Sequence, residues 1–242
     1  MSLCRYELKF LIDAQAKKQI LERLEPGLFA DPHGVGGSYR ITSLYYDTPD
    51  LTAFWEKLDG HAVRHKVRLR YYGDEPTRPF LEVKTRYYQQ VLKRRLPLER
   101  EVGEACLNLD RSLTGIPFQA QGPKQEEAFF MVQKAATSSS LQGTVVVSYV
   151  REAWIGRVDP SLRVTFDHLC QAHAPSCHMA SATHSGLPFL PETQIVFELK
   201  YDRRVPLWVR DQIRACRVRP VRISKYAEGL IRHFQERKLQ IC

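Results

Sequence analysis

Apolar and charged residues alternate through "CRYELKFLI" (4–12), the two-residue period of a strand with one apolar and one charged face. Asp13 stands next, in N-cap position, and "AQAKKQILERLE" sets Ile20, Leu21 and Leu24 on one side of a helix. "ADPHGVGG" breaks the pattern as a loop, and its glycines lack the Lys-Ser/Thr ending of a P-loop. "YRITSLYYDT" is β-branched and aromatic, which predicts a strand, and "LTAFWEKLDG" predicts a short helix. "AVRHKVRLRYYG", "PFLEVKTRYY" and "QVLKRRLPLE" predict three strands at short separation, an antiparallel meander. Beyond them, "PKQEEAFFMVQKAAT" predicts a helix, and "GTVVVSYVREAWIG", "SLRVTFD" and "QIVFELKYD" predict three strands. "PLWVRDQIRAC" and "SKYAEGLIRHFQERK" close the chain as helices, the second with Ser224 as N-cap. Residues 170–193 read as one long polar loop. With no internal repeat and no linker, this order predicts a single α+β domain over 1–242, mostly antiparallel, with helices outside.

The charged faces carry a second message. Glu-x-Lys occurs on three strand candidates: Glu7 with Lys9, Glu82 with Lys84, and Glu198 with Lys200. Lys66, Arg68 and Arg70 share a face opposite Val67, Leu69 and Tyr71. Tyr149 and Arg151 oppose Val150 and Trp154, and Arg163 and Asp167 oppose Leu162, Val164 and Phe166. For any one strand, an amphipathic sheet with its charges in water accounts for this. Taken together, the charged positions are almost all Arg, Lys and Glu with cations in excess, and like charges across a sheet destabilise it. Closing the strands into a barrel with the charged faces inward, and helices over the apolar outer faces, accounts for both. Such a lumen favours a polyanion, and its glutamates offer oxygen ligands to a hard divalent cation.

Composition sharpens this reading. Among 242 residues, 43% hydrophobic and 26% charged are ordinary for a folded domain, while a formal charge of +9 favours an anionic partner. No apolar run approaches the ~20 residues of a membrane span. "MSLCRYELKFLID" carries charges within its apolar stretch, unlike a signal peptide. The cysteines Cys4, Cys106, Cys170, Cys177, Cys216 and Cys242 are scattered without a CxxC, which suits a reducing cytoplasm. Nucleic acid is disfavoured, because Tyr and Phe mostly take the apolar parity instead of interleaving with exposed cations. His173, Cys177, His178 and His184 invite a zinc reading, but their spacing matches no familiar ligand pattern and a plain loop is preferred. Ser224 before Lys225 looks like a Ser-Lys pair, although a helix N-cap is the simpler role.

The runs "RYELKF", "SLYYDT", "KVRLRYYG", "LEVKTR", "SYVREAW", "LRVTFD", "FELKYD" and "ISKYAEG", in this order, resemble the vacuolar transporter chaperone (VTC) domain. That domain is a branch of the triphosphate tunnel metalloenzymes, related to CYTH triphosphatases and adenylyl cyclases. The resemblance runs from about residue 4 to 235. It implies an antiparallel eight-stranded β-barrel, a tunnel that binds ATP, triphosphate and polyphosphate with Mn2+ or Mg2+. In eukaryotic relatives the domain is a polyphosphate polymerase, moving the γ-phosphoryl of ATP to a growing chain. Carried over by motif, Arg68, Arg70, Lys84, Arg151, Arg163 and Lys200 would act on the transferring phosphoryl group. Lys9, Lys66, Lys93, Tyr149, Arg222, Ser224 and Lys225 would bind substrate. Arg95 shares the parity of Lys93, so "LKRRL" offers two registers. Glu198 would be the leading metal ligand, helped by Glu7 and Glu82. Two alternatives stay open: a metal-dependent triphosphatase, and a non-catalytic polyanion-binding module. Unlike the eukaryotic relatives, the chain is expected to carry no N-terminal regulatory domain and no C-terminal membrane segment, which leaves room for a separate membrane partner.

Overall fold

The computed structural model describes residues 5–73, 78–107, 113, 116, 118–177 and 186–239. In chain order the elements are β1 (Tyr6–Ile12), α1 (Ala14–Leu24), β2 (Leu28–Ala30), β3 (Ser38–Asp47), α2 (Thr52–Leu58), β4 (Val63–Tyr72), β5 (Phe80–Tyr87) and β6 (Gln90–Pro97). They continue with α3 (Arg100–Leu107), α4 (Pro123–Ser139), β7 (Gln142–Gly156), β8 (Arg163–His173), β9 (Leu187–Pro188), β10 (Ile195–Tyr201), α5 (Leu207–Ala215) and α6 (Lys225–Leu239). Asp13 caps α1 as its position predicts, accepting from the Ala16 N–H at 2.7 Å.

Eight strands follow one another in antiparallel order, β1-β10-β8-β7-β3-β4-β5-β6, with β2 added on β7 and β9 on β8. The strand number of the expected barrel is therefore present, but its seam is not a continuous ladder. First and last strands meet at one bridge, where Arg5 and Val91 exchange backbone hydrogen bonds of 3.2 and 3.0 Å. Beyond the bridge, the outer edge of β1 turns to the chain leading into α6. The Val221 N–H donates to the Lys9 carbonyl at 2.7 Å, and Phe10 bridges Pro220. In the antiparallel register of the Arg5–Val91 bridge, β1 beyond Tyr6 runs past the β5–β6 hairpin, so the two strands part around a wedge.

The apolar faces lie outward, as the parity predicts. Helices α3 and α4 cover Val67, Leu69, Leu81, Val83 and Leu96, and helices α1 and α5 cover Phe10, Val164, Phe166, Phe197 and Leu199. Helix α6 departs from the expected outer layer. Its Tyr226, Ala227 and Leu230 pack on Ile41, Tyr45, Val145, Val147, Tyr149 and Val196. Val145, Val147 and Tyr149 share the parity of Arg151, so α6 plugs one end of the barrel from its charged side. The run "GTVVV" is apolar on both faces because that end is buried on both faces. Contact there is close: a Cβ at Gly229 would stand 2.9 Å from Val147 Cγ2.

Residues 170–193 are not one loop. β8 continues to His173 and pairs with β9. Leu169 takes a left-handed φ of 50°, and the register against β7 shifts between Ser148 and Val150. This bulge switches inward positions from odd (Thr165, Asp167) to even (Cys170, Ala172), which hides the strand from a two-residue period. Strand β2 and helix α3 also lie outside the sequence reading. In α3, Gly103 weakens the helical signal, yet a Cβ there would collide with Pro79 Cγ.

Candidate functional site

Inward-facing cations arrive from seven strands and α6, and carboxylates hold them in two groups. On the β4–β5–β6 wall, Glu82 is 1% exposed. It accepts from Arg68 Nε at 2.8 Å and Arg95 Nε at 2.9 Å, with Lys93 Nζ at 2.5 Å and Arg70 Nε at 3.9 Å. Burial pushes the Glu82 carboxyl up, but Lys93, Arg68, Arg70 and Arg95 outweigh it and hold it well below the usual carboxylate range. The guanidiniums are aimed by further bonds. Arg70 donates to Ser43 Oγ at 3.0 Å and to Tyr149 Oη at 3.2 Å, and Arg68 donates to Tyr45 Oη at 3.1 Å.

On the facing wall, Arg151 forks onto Asp167 with bonds of 2.7 and 2.8 Å. Lys225, the first residue of α6, reaches Asp167 at 2.5 Å and Glu198 at 3.0 Å. Glu198 is 3% exposed and also meets Lys9 at 3.4 Å, Lys200 at 3.1 Å and Arg151 at 3.5 Å. Burial again opposes ionisation, yet Lys225, Lys9, Lys200 and Arg151 hold its carboxyl well below the ordinary range. Glu7 joins the walls, accepting from Lys84 at 2.8 Å and lying 3.7 Å from Lys200. Among the described residues, no carboxylate lies within ion-pair distance of Lys66; it donates to Ser224 Oγ at 2.8 Å. Burial and the neighbouring Lys9, Lys84, Lys57 and Arg64 push its ammonium well below the usual lysine value.

The structure thus brings together Lys9, Lys66, Arg68, Arg70, Lys84, Lys93, Tyr149, Arg151, Lys200, Ser224, Lys225, Glu7, Glu82 and Glu198. Ser224 also caps α6, accepting from the Ala227 N–H at 3.4 Å. Arg163 sits at the rim, paired with Asp31. Arg222 is exposed, on the segment before α6. Parity alone marks Asp167, which the motif reading omits, since it faces with Arg163 in "RVTFD". Asp31 gives no such signal, because it lies in an irregular loop. His173 is buried against Ser148, with Nε2 2.8 Å from Oγ, while His178 and His184 lie outside the described residues. No disulfide joins Cys106, Cys170, Cys177 and Cys216.

Among the described residues, no group of three His, Cys, Asp or Glu side chains could hold a metal by itself. Glu7 and Glu198 nonetheless fit a hard cation that arrives with phosphate. They lie diagonally across β1 and β10, where Glu7 faces Lys200 and Lys9 faces Glu198. Lys200 Nζ stands between the two carboxylates as a cationic stand-in. Mg2+ characteristically takes one or two carboxylates and completes its shell with water and substrate phosphates. Glu82 fits less well: Arg68, Arg95 and Lys93 hold its oxygens at 2.5–2.9 Å, closer than the 3.0–3.5 Å of the cations around Glu198.

Among solved structures, a putative adenylate cyclase from Bacillus halodurans is similar, with a TM-score of 0.57 and 13% identity over 93% of this chain and 96% of that one. A putative adenylyl cyclase from Hippeastrum, described as having a dominant triphosphatase activity, aligns with a TM-score of 0.53 and 13% identity over 94% of each chain. At these identities the likeness shows the fold, that of the triphosphate tunnel proteins. No curated protein matches the chain. Among the described residues, no helix is long and apolar enough to cross a membrane. The profile of the VTC domain matches residues 4–234, and with that match over nearly its whole length the chain belongs to the VTC domain family.

Proposed function

We propose that the protein is a metal-dependent phosphotransferase that moves the γ-phosphoryl of ATP onto a growing polyphosphate chain. The observation that carries this reading is the lumen itself, where cations outnumber the carboxylates Glu7, Glu82, Asp167 and Glu198. An excess of half-buried positive charge is costly when empty and is relieved by a polyanion. Phosphoryl transfer passes through a loose transition state, so it needs in-line positioning and neutralised oxygens more than a protein nucleophile. Arg68, Arg70 and Arg151 supply that, because Glu82 and Asp167 fix their guanidiniums before substrate arrives. Lys84, Lys200 and Arg163 follow the charge on the transferring group; Lys9, Lys66, Lys93, Lys225 and Tyr149 hold the rest of the chain. Glu198 and Glu7 would hold Mn2+ or Mg2+, which would draw charge off the phosphate oxygens.

Hydrolysis would use the same residues with water in place of the acceptor, and the similar Hippeastrum protein, described by its triphosphatase activity, keeps that reading in play. One incubation with ATP and manganese decides. Long polyphosphate with matching ADP supports the polymerase, whereas free phosphate in step with ADP and no long chain replaces it with the triphosphatase. Tight tripolyphosphate binding without turnover of any triphosphate leaves a binding module.

A further inference from the structure

Charge on the β4–β5–β6 wall is arranged in rows. Lys66 faces Lys84, which faces Lys93, and one step toward the start of β4, Arg64 faces Arg86 with the same inward parity. Like charges in direct opposition destabilise a sheet unless something offsets them. The inner row has its offset, since Lys84 meets Glu7 at 2.8 Å and Lys93 meets Glu82 at 2.5 Å. The outer row has none: among the described residues, no carboxylate lies within ion-pair distance of Arg64 or Arg86. Arg86 Nε donates to the Tyr88 carbonyl at 2.7 Å.

Lys57 adds to this row from α2, which packs on β4 and α6. Its ammonium is pushed down by burial and by Arg64, with Lys9 and Arg222 in the same sense and Glu228 opposing. Arg64 is lowered by burial, Arg86 and Arg222, with Glu56 opposing. Four cations therefore collect beside the wedge where β1 leaves β6, half-buried except for the exposed Arg222. Helix α6 plugs the neighbouring part of that end of the barrel.

We propose that Lys57, Arg64 and Arg86 form a second phosphate site, which holds the part of a linear polyphosphate chain lying beyond its first three phosphoryl groups. This rests on the phosphate-lumen reading above and extends it. From Arg70 to Arg64 is six positions along β4, about 20 Å. A triphosphate, three groups joined through two bridging oxygens, is too short to reach both ends. Tyr87 and Tyr88 are exposed at the nearby hairpin, but Tyr87 faces Val63 on the opposite parity. The row itself thus offers charge without ring faces, which suits a chain charged at every repeat and carrying no bases.

The test compares tripolyphosphate, a longer linear polyphosphate and a single-stranded RNA, by calorimetry at one ionic strength. Wild type should bind the longer polyphosphate at least about ten-fold more tightly than tripolyphosphate. Lys57→Gln/Arg64→Gln/Arg86→Gln should lose that gain, keep tripolyphosphate affinity within about two-fold, and melt no lower, because it removes mutually repelling charges. Retention of the gain by the triple variant overturns the site, as does a wild type that binds both phosphates equally. A gain for RNA that depends on the same residues while polyphosphate is unaffected also overturns it, and assigns the row to nucleic acid. Failure of wild type to bind tripolyphosphate at all would sink the lumen reading itself, a result separate from these.

Discussion

Glu82 was expected to help hold a metal, but the structure surrounds it with cations, and Glu82→Gln separates the two roles. The substitution keeps the shape and removes the charge that Arg68, Arg70, Lys93 and Arg95 share. Deleting one partner of a buried ion pair costs about 3–5 kcal/mol. Lys93 and Arg95 have side chains 36% and 41% exposed, so water screens much of their share. Arg68 and Arg70 are 16% and 4% exposed and set the magnitude, which places the loss near the lower end, about 3 kcal/mol. For a domain of this size that is a fall in Tm of roughly 6–12 °C. Scanning calorimetry at low salt, with and without tripolyphosphate, measures it. The variant should gain more from tripolyphosphate than wild type, because the ligand replaces a missing anion and stabilises only the folded state. A fall of less than about 1 °C, together with a lost metal requirement, would refute the counter-ion role and return Glu82 to the metal.

Other consequences are as direct. The carboxyls of Glu7, Glu82, Asp167 and Glu198 are all held below their ordinary values, so the stability they contribute is complete above the usual carboxylate range and drains as pH falls through it. Tm should therefore drop steadily below about pH 5, and a flat profile from there to pH 3 would contradict the ion-pair lumen. Lys66, pushed down by burial and by its cationic neighbours, should regain its proton when a polyanion enters. Tripolyphosphate binding in the alkaline range should then take up more protons in wild type than in Lys66→Met, seen as a difference in buffer-dependent binding enthalpy; equal uptake by the two would count against Lys66 contacting phosphate. Thr165 is 2% exposed, faces Glu198 across β8 and β10, and its Oγ1 has no hydrogen-bond partner among the described residues. Thr165→Val should leave the apoprotein's Tm unchanged or higher, and a loss above about 1 kcal/mol would mean the hydroxyl has a partner.

Strand parity made most of the lumen legible, because the barrel wall repeats the two-residue period faithfully along β1, β4, β5 and β10. It failed where the backbone stops obeying that period. The left-handed Leu169 shifts β8 by one position, and Cys170 and Ala172 then face inward where alternation expects the opposite. The plug was hidden for a different reason. An apolar face on α6 announces burial without saying against which side of the sheet. Only the packing of Tyr226 on Tyr45, with ring centroids 5.1 Å apart, shows that it enters from the charged side. Lys57 and Asp31 were out of reach because a short helix and an irregular loop bring them to the barrel, and neither has a period that relates it to a strand.

The plug also explains why a motif on the last helix belongs to a site built by strands. Lys225 opens α6 and is 7% exposed, so its ammonium is placed by the apolar packing of Tyr226, Ala227 and Leu230 beneath it. Tyr226 donates to Asp47, which also accepts from the Ala53 and Phe54 N–H groups at 2.9 and 3.0 Å at the start of α2. Through Asp47 the seating of α6 is tied to α2, the helix that carries Lys57. One buried carboxylate thereby fixes a lumen cation and a mouth cation together. On the proposed function, a chain of phosphates running from Lys225 to Lys57 would meet charges held in a common frame, and that fixed spacing would let a lumen without a nucleophile position its substrate.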